Sequence, residues 1–336
     1  MQKEAKFYEK LENRVVRCHL CRHHCLIREG KSGICGVRKN IDGILYTLVY
    51  SYPCAINVDP IEKKPLYHFL PGSKALSIST VGCNFSCKFC QNYDISQASK
   101  EGEIFGDNIP PETVVLLAQK YRCESISYTY TEPTIFYEYA FDIAVLAKKA
   151  GIKNNFVTNG YISEEPLKSI APFLDGANID LKSFRREFYS KVVGARLEEV
   201  LDSIKTYFKL GIWIELTTLI IPGYNDSEDE LRDIAKFIKN ELAEYVPWHV
   251  SRFYPNYRMR NIPPTPERKV LRAREIGLEE GLLYVYTGNI YSEEGNDTYC
   301  PSCKKRIIAR TGFWVTENRV QGGNCEFCGA KIHGIF

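Results

Sequence analysis

Three cysteines, Cys83, Cys87 and Cys90, stand in the spacing C-x3-C-x2-C within VGCNFSCKFC, residues 81–90. Thiolate is the ligand class that iron–sulfur clusters select, and three thiolates on one loop can hold three irons of a [4Fe–4S] cube. The next cysteine is Cys123, so the fourth iron has no nearby protein ligand. An open iron is what a molecule needs if it is to bind the cluster directly, by the logic that separates open catalytic zinc sites from closed structural ones. A zinc knuckle and three buried thiols are the other readings of the same residues, and the surrounding sequence has to discriminate among them.

Two further groups have ligand spacing. Cys18, Cys21, Cys25 and Cys35 form C-x2-C-x3-C-x9-C, enough to wrap a tetrahedral zinc ion or an auxiliary iron–sulfur cluster. Spacing alone does not choose between them. His19, His23 and His24 lie among these cysteines, as solvated side chains or as replacements for one thiolate. Cys300, Cys303, Cys325 and Cys328 form two C-x2-C pairs about a 21-residue spacer, the arrangement of a zinc ribbon. Cys54 and Cys123 read as small buried hydrophobes. Thirteen cysteines behind a charged N-terminus, MQKEAKFYEKLENRVVR, argue for metal ligation over a disulfide framework. The 44 basic and 41 acidic residues leave a net charge of +3, which implies no general nucleic-acid or membrane field. No apolar run approaches the roughly 20 residues of a spanning helix, so a cytoplasmic protein is expected.

Elements able to position these cysteines begin at Ala75. Short β-branched runs (ALSIST 75–80, SISYTY 125–130, IKNNFVT 152–158, GANIDL 176–181, IWIELTTL 212–219, HVSRFY 249–254) alternate with amphipathic stretches such as PETVVLLAQKY and LEEVLDSIKTYFKL. Alternating strands and helices imply βαβ units on a parallel sheet. Six units predict an α/β fold, an incomplete (β/α)6 barrel over 75–288, with a doubly wound sheet as the rival. Residues 1–74 are then an N-terminal Cys-rich segment and connector, and 289–336 a zinc-ribbon-like tail. The connector carries Pro60, Pro65 and Pro71, which prevent a long helix. Its Lys63, Lys64, Tyr67 and His68 are able to reach the site or to form a packed strap. Chemistry in such barrels gathers at the carboxyl ends of the strands, and the cysteine loop follows the first strand directly.

With this context the sequence resembles the radical S-adenosylmethionine (SAM) superfamily. The resemblance implies that Cys83, Cys87 and Cys90 bind the cluster while the amino and carboxylate groups of SAM chelate the open iron. Phe89 matches the aromatic position beside adenine. TYTEPT stands where the superfamily has a GGE-like segment, with Tyr130 and Thr131 in place of glycines and Glu132 receiving the SAM amino group. Thr158 and Asn159, in the VTNGY turn, Asp180 and Lys182, in a D-x-K like that of glycyl-radical activating enzymes, and Pro222 and Gly223, in an activase-like IIPGYND loop, are the other cofactor contacts implied. Val157 stands where those enzymes have an acidic cation ligand. His249 and Arg252, near the sixth strand's end, are read as further contacts, and Arg268–Arg274 as a solvated helix face.

Together with DPIEKKPLYHFLPG, WHVSRFYPNYRMRNIPPTP and GLLYVYTGN, these motifs are similar to the AmmeMemoRadiSam radical SAM enzymes, relatives of the pyruvate formate-lyase activating enzyme. The family implies Memo-type and AMMECR-type proteins as partners and a one-electron donor such as flavodoxin or ferredoxin. Its chemistry is reductive cleavage of SAM to methionine and a 5′-deoxyadenosyl radical that abstracts hydrogen, here from a protein or peptide target. Radical transformation of a small molecule is the alternative. A metal-rich nucleic-acid-binding or electron-transfer module is a third reading, disfavoured by the near-neutral charge.

Overall fold

The computed structural model describes residues 2–336. Its centre is one eight-stranded sheet, β1 (Ala55–Pro60), β2 (Lys74–Ser79), β3 (Ser125–Tyr128), β4 (Lys153–Thr158), β5 (Gly176–Asp180), β6 (Trp213–Ile220), β7 (Trp248–Arg252) and β8 (Val285–Gly288). Each strand pairs with the next in the chain, β1 antiparallel to β2 and every later pair parallel. A doubly wound sheet must reverse its strand order at a switch point. This order never reverses, so the rival topology is excluded.

All six expected strands are present within two residues of their predicted bounds. β8 adds a seventh parallel strand, and β1 converts part of the supposed connector into an edge of the sheet. Pro60 ends that edge strand, a position where a missing N–H costs no ladder bond.

Five main helices cross between the parallel strands: α1 (Pro111–Lys120), α2 (Tyr137–Lys149), α3 (Leu197–Lys209), α4 (Glu228–Phe237) and α5 (Glu267–Glu279), with a shorter one, Glu164–Ile170, between β4 and β5. In α3 Leu197, Val200, Ile204 and Tyr207 recur at helical spacing and are buried, which fixes the face turned to the sheet. Ser227 caps α4 by accepting from the Glu230 N–H, and three acidic residues fill its first turn, where the helix dipole favours them. All four residues of β3 are buried, as in a strand covered on both faces.

Apolar residues of the N-terminal segment, including Val16, Leu20, Ile27 and Val37, belong to the same core as the sheet and helices, whereas Cys300, Ile307, Ile308, Cys325 and Ile332 form a small core of their own. The last residues return to the connector, where Leu70 N–H donates to Ile335 O at 2.6 Å and Ile335 N–H to His68 O at 2.8 Å. Among the described residues no helix is long and apolar enough to cross a membrane.

Candidate active site

Loops leaving the carboxyl ends of β2 to β5 surround a cavity of about 510 Å³. Cys83, Cys87, Phe89, Cys90, Tyr130, Thr131, Glu132, Thr158, Asn159, Asp180 and Lys182 all line it, joined by Lys63 and Lys64 of the connector. Residues scattered over 120 positions of sequence thus meet because parallel strands deliver all their carboxyl ends to one rim.

The cysteine loop is held from several sides. Ser86 N–H donates to Val193 O at 2.9 Å and Lys88 N–H to Val192 O at 3.0 Å. The Lys100 ammonium donates to Phe85 O, Ser86 Oγ and Gln97 Oε1 at 2.5, 2.9 and 3.0 Å, using all three of its protons. Phe85 N–H points at Cys83 Sγ from 3.3 Å, and Ser96 Oγ lies 3.2 Å from Cys90 Sγ. Burial pushes the Cys87 thiol up to about 12 and raises that of Cys83 as well. Neutral thiols are therefore the resting state without a cation, and a coordinated metal removes those protons outright. Among the described residues these three sulfurs do not converge within the 4.8 Å that unites the C-terminal cysteines. A polynuclear cluster spreads its thiolates over separate irons, and this donor set fits one.

Glu132 forms the buried wall opposite. Its Oε1 accepts from Thr134 N, Thr134 Oγ1 and Thr158 Oγ1 at 3.0, 2.6 and 2.8 Å, and its Oε2 from Asn159 N at 2.8 Å. The Asn159 amide then reaches Asn84 Oδ1 at 2.7 Å. Tyr130, where the superfamily pattern has glycine, sits at φ 63°, in the left-handed region that glycine favours. Its hydroxyl donates to Asp59 at 2.5 Å and its carbonyl accepts from Asn92 at 2.8 Å, contacts that hold the strained backbone. Asp59 also accepts from Lys63 and Lys64 at 2.8 and 2.7 Å. Burial raises its carboxyl, but those three donors outweigh burial and hold it well below the usual carboxylate range. Burial lowers Lys64 to about 8 in spite of its partner. Across the cavity Lys182 pairs with Asp180 at 2.8 Å and lies 5.8 Å from the Phe89 ring centre.

Four expected contacts fall elsewhere. His249 is second in β7, near the amino ends of the strands, and its Nε2 donates to buried Glu215 at 2.7 Å. Arg252 donates to Thr265 O and Glu267 at 2.8 Å each and does not line the cavity. Pro222 and Gly223 are also absent from the wall, which takes Leu219, near the end of β6, instead. Tyr67 and His68 lie with Glu215, whose carboxylate accepts from both of their backbone N–H groups. Gln91, Asn92 and Ser96 also line the cavity, and sequence motifs do not mark them. Only their nearness to Cys90 in the chain hints at them.

The family model of the radical SAM superfamily matches residues 77–238. The uncharacterized protein MJ0808 of Methanocaldococcus jannaschii is 47% identical over 332 residues, 98% of each chain. The chain belongs to the radical SAM superfamily. It is 23% identical to the pyruvate formate-lyase-activating enzyme of Clostridium pasteurianum, over 56% of this chain and 83% of that one. In fold it is similar to Streptococcus suis SuiB bound to precursor peptide SuiA, with a TM-score of 0.51 at 14% identity, covering 68% of this chain and 51% of the other. This radical SAM protein is an enzyme of the activating-enzyme-like kind, and membership implies a [4Fe–4S] cluster and SAM.

The enzyme's two other cysteine groups differ in geometry. In the tail, Cys300 and Cys328 sulfurs are 3.7 Å apart and those of Cys303 and Cys325 3.8 Å. A tetrahedron of sulfurs at about 2.3 Å from one ion has an edge of about 3.8 Å. The Lys305 backbone N–H lowers the Cys303 thiol to about 7, which favours the ligating thiolate. Cys18, Cys21, Cys25 and Cys35 instead line a small apolar pocket with Leu20, Ile27 and Asn84.

Proposed function

We propose that Cys83, Cys87 and Cys90 hold a [4Fe–4S] cluster whose open iron faces the 510 Å³ cavity, that SAM binds there, and that the enzyme modifies a protein or peptide by hydrogen abstraction. The observation that carries this reading is the convergence of three thiols on a single cavity in which, among the described residues, no fourth cysteine takes part. When bound, the pair supplies one-electron cleavage of a carbon–sulfur bond and hence a carbon radical.

The chain's own residues position and shield. Phe89, 4% exposed, offers an apolar face to adenine. Glu132 has one lone pair free on Oε2 for an ammonium group, since three donors occupy Oε1 and one occupies Oε2. Lys182, neutralised by Asp180, places a cation near Phe89, suited to a carboxylate or ribose oxygen. Lys63 and Lys64 enter from the connector and face the substrate side.

A protein target is favoured by the likeness to the Clostridium pasteurianum activating enzyme. Within this reading the chain is an AmmeMemoRadiSam enzyme, with Memo-type and AMMECR-type proteins as partners and a flavodoxin or ferredoxin as donor. Residues 75–288 act as the incomplete barrel and 289–336 as a zinc ribbon, the sulfur spacing supporting a single tetrahedral ion.

The test is anaerobic reconstitution with iron and sulfide, then a one-electron reductant and SAM. Wild type is expected to form 5′-deoxyadenosine and Cys87→Ala to form none. A cluster-loaded wild type that forms none would refute the reading, and a mass shift on an added Memo-type protein would identify the target.

A further inference from the structure

We infer that Cys18, Cys21, Cys25 and Cys35 hold a second iron–sulfur cluster, through which electrons reach the site of Cys83, Cys87 and Cys90. The relay half rests on the function proposed above, whereas the cluster half does not.

Unpaired donors point to an anionic occupant. Arg38 and Asn84 line the four-cysteine cavity, are 2% and 1% exposed, and each keeps one buried N–H group without a partner, Arg38 Nε and Asn84 Nδ2. Arg38 spends its other nitrogens on Glu138 and Lys6 O, so Nε is left for the cavity. A buried unmatched donor is costly, and a thiolate-ligated cluster offers sulfurs that accept such bonds.

Sulfur spacing separates a cluster from zinc. The tail's cysteines stand at the edge length of a one-ion tetrahedron. Among the described residues no three of the N-terminal cysteines gather within 4.8 Å of one another. Four thiols lining one pocket, too spread for one ion, suit four irons.

Contiguity supplies the route. His23 lines the same cavity, and its Nε2–H donates to Asn84 O at 2.8 Å. Asn84 directly follows Cys83 and holds Asn159 at the wall of the catalytic cavity. Behind them Ser99 Oγ donates to Cys35 O at 2.8 Å, and a Cβ on Gly82 would stand 3.1 Å from that carbonyl. Cys21 and Cys25 are partly exposed, as Cys83 and Cys90 are, so a protein donor can approach the N-terminal site. A reduced ferredoxin- or flavodoxin-type protein would give one electron to the N-terminal cluster, which would pass it to the central one; no bond or proton changes place.

The test uses the full chain, reconstituted anaerobically, and the triple variant Cys83→Ser/Cys87→Ser/Cys90→Ser. Wild type is expected to bind about eight irons and eight sulfides and the triple variant about four of each, with cluster absorption that bleaches on reduction. Cys18→Ser/Cys21→Ser is expected to lose the other four while keeping one zinc in the tail, a sign that it has folded. A triple variant with two zinc ions and no sulfide, or with nothing at the N-terminal cysteines, overturns the cluster. A wild type that binds both clusters but forms no 5′-deoxyadenosine would instead count against the proposed function and leave the N-terminal cluster standing. For the relay, Cys18→Ser/Cys21→Ser should lose reduction of the central cluster by reduced flavodoxin yet keep its reduction by dithionite. Equal reduction by flavodoxin in variant and wild type overturns the relay.

Discussion

Glu132 accepts four hydrogen bonds within a wholly buried setting, so its carboxylate organises the site whether or not it also meets SAM. Glutamine in its place turns one accepting oxygen into a donor that faces hydroxyl and amide N–H groups. Glu132→Gln is therefore expected to lose about 2–3 kcal/mol of stability, read as a lower denaturant midpoint of the reduced, metal-free chain, together with weaker SAM binding. An unchanged midpoint would mean the hydrogen bonds are not formed as described. The motif TYTEPT made this residue and Thr134 visible, and VTNGY marked Thr158 and Asn159, but only the folded chain shows that the two loops meet in one hydrogen-bonded cluster. His249 illustrates the opposite error. Its position near a strand end looked available, yet a strand has two ends, and His249 lies at the wrong one.

At the scale of elements, the cysteine loop is shaped by what packs on it. Gly82 has φ 105°, and a Cβ there would meet Val37 Cγ1 at 2.8 Å and Ser99 Oγ at 3.0 Å. Gly223 also has positive φ, 74°, but nothing lies within 4 Å of the added atom. Left-handed strain alone costs about 1–2 kcal/mol, and overpacking adds about 1–3 kcal/mol. Gly82→Ala should thus lower the denaturation midpoint clearly more than Gly223→Ala, and should loosen the N-terminal segment in hydrogen exchange. Equal effects would show that Gly82 is not packed against Val37 and Ser99. Strands β2 to β7 were readable because β-branched runs and amphipathic helices have different periods. β1 was not, since AINVDP lacks clear alternation and carries a proline; only its pairing with β2 makes it a strand.

Across the whole molecule, the tail is tied to the connector and the sheet through buried polar contacts. Arg310 donates to Tyr67 O at 2.9 Å and lies 4.2 Å from that ring's centre. His68 Nδ1 donates to His333 O at 2.7 Å, leaving Nε2 to accept from Tyr286 at 2.6 Å. Burial holds His68 down to about 4, below its unfolded value of about 6.5. The unfolded chain therefore binds the proton more tightly, and this contribution to stability is complete above about pH 6.5 and lost as pH falls towards 4, by up to about 3 kcal/mol. His68→Gln is expected to flatten stability over that window relative to wild type. If both chains lose stability in parallel between those pH values, His68 does not carry the dependence.

The sequence by itself determined what is local: three ligand spacings, the succession of strands and helices, and the motifs at the strand ends. These depend on neighbours in the chain, where spacing and period are set directly by covalent geometry. Tertiary structure alone decided that the strand order never reverses, that β1 joins the sheet, that Lys63 and Lys64 reach the cavity held by Asp59, and that His249 and Arg252 do not. Each of those outcomes depends on which distant side chains bury one another, a choice made by the free energy of the whole packed chain and written in no single stretch of it.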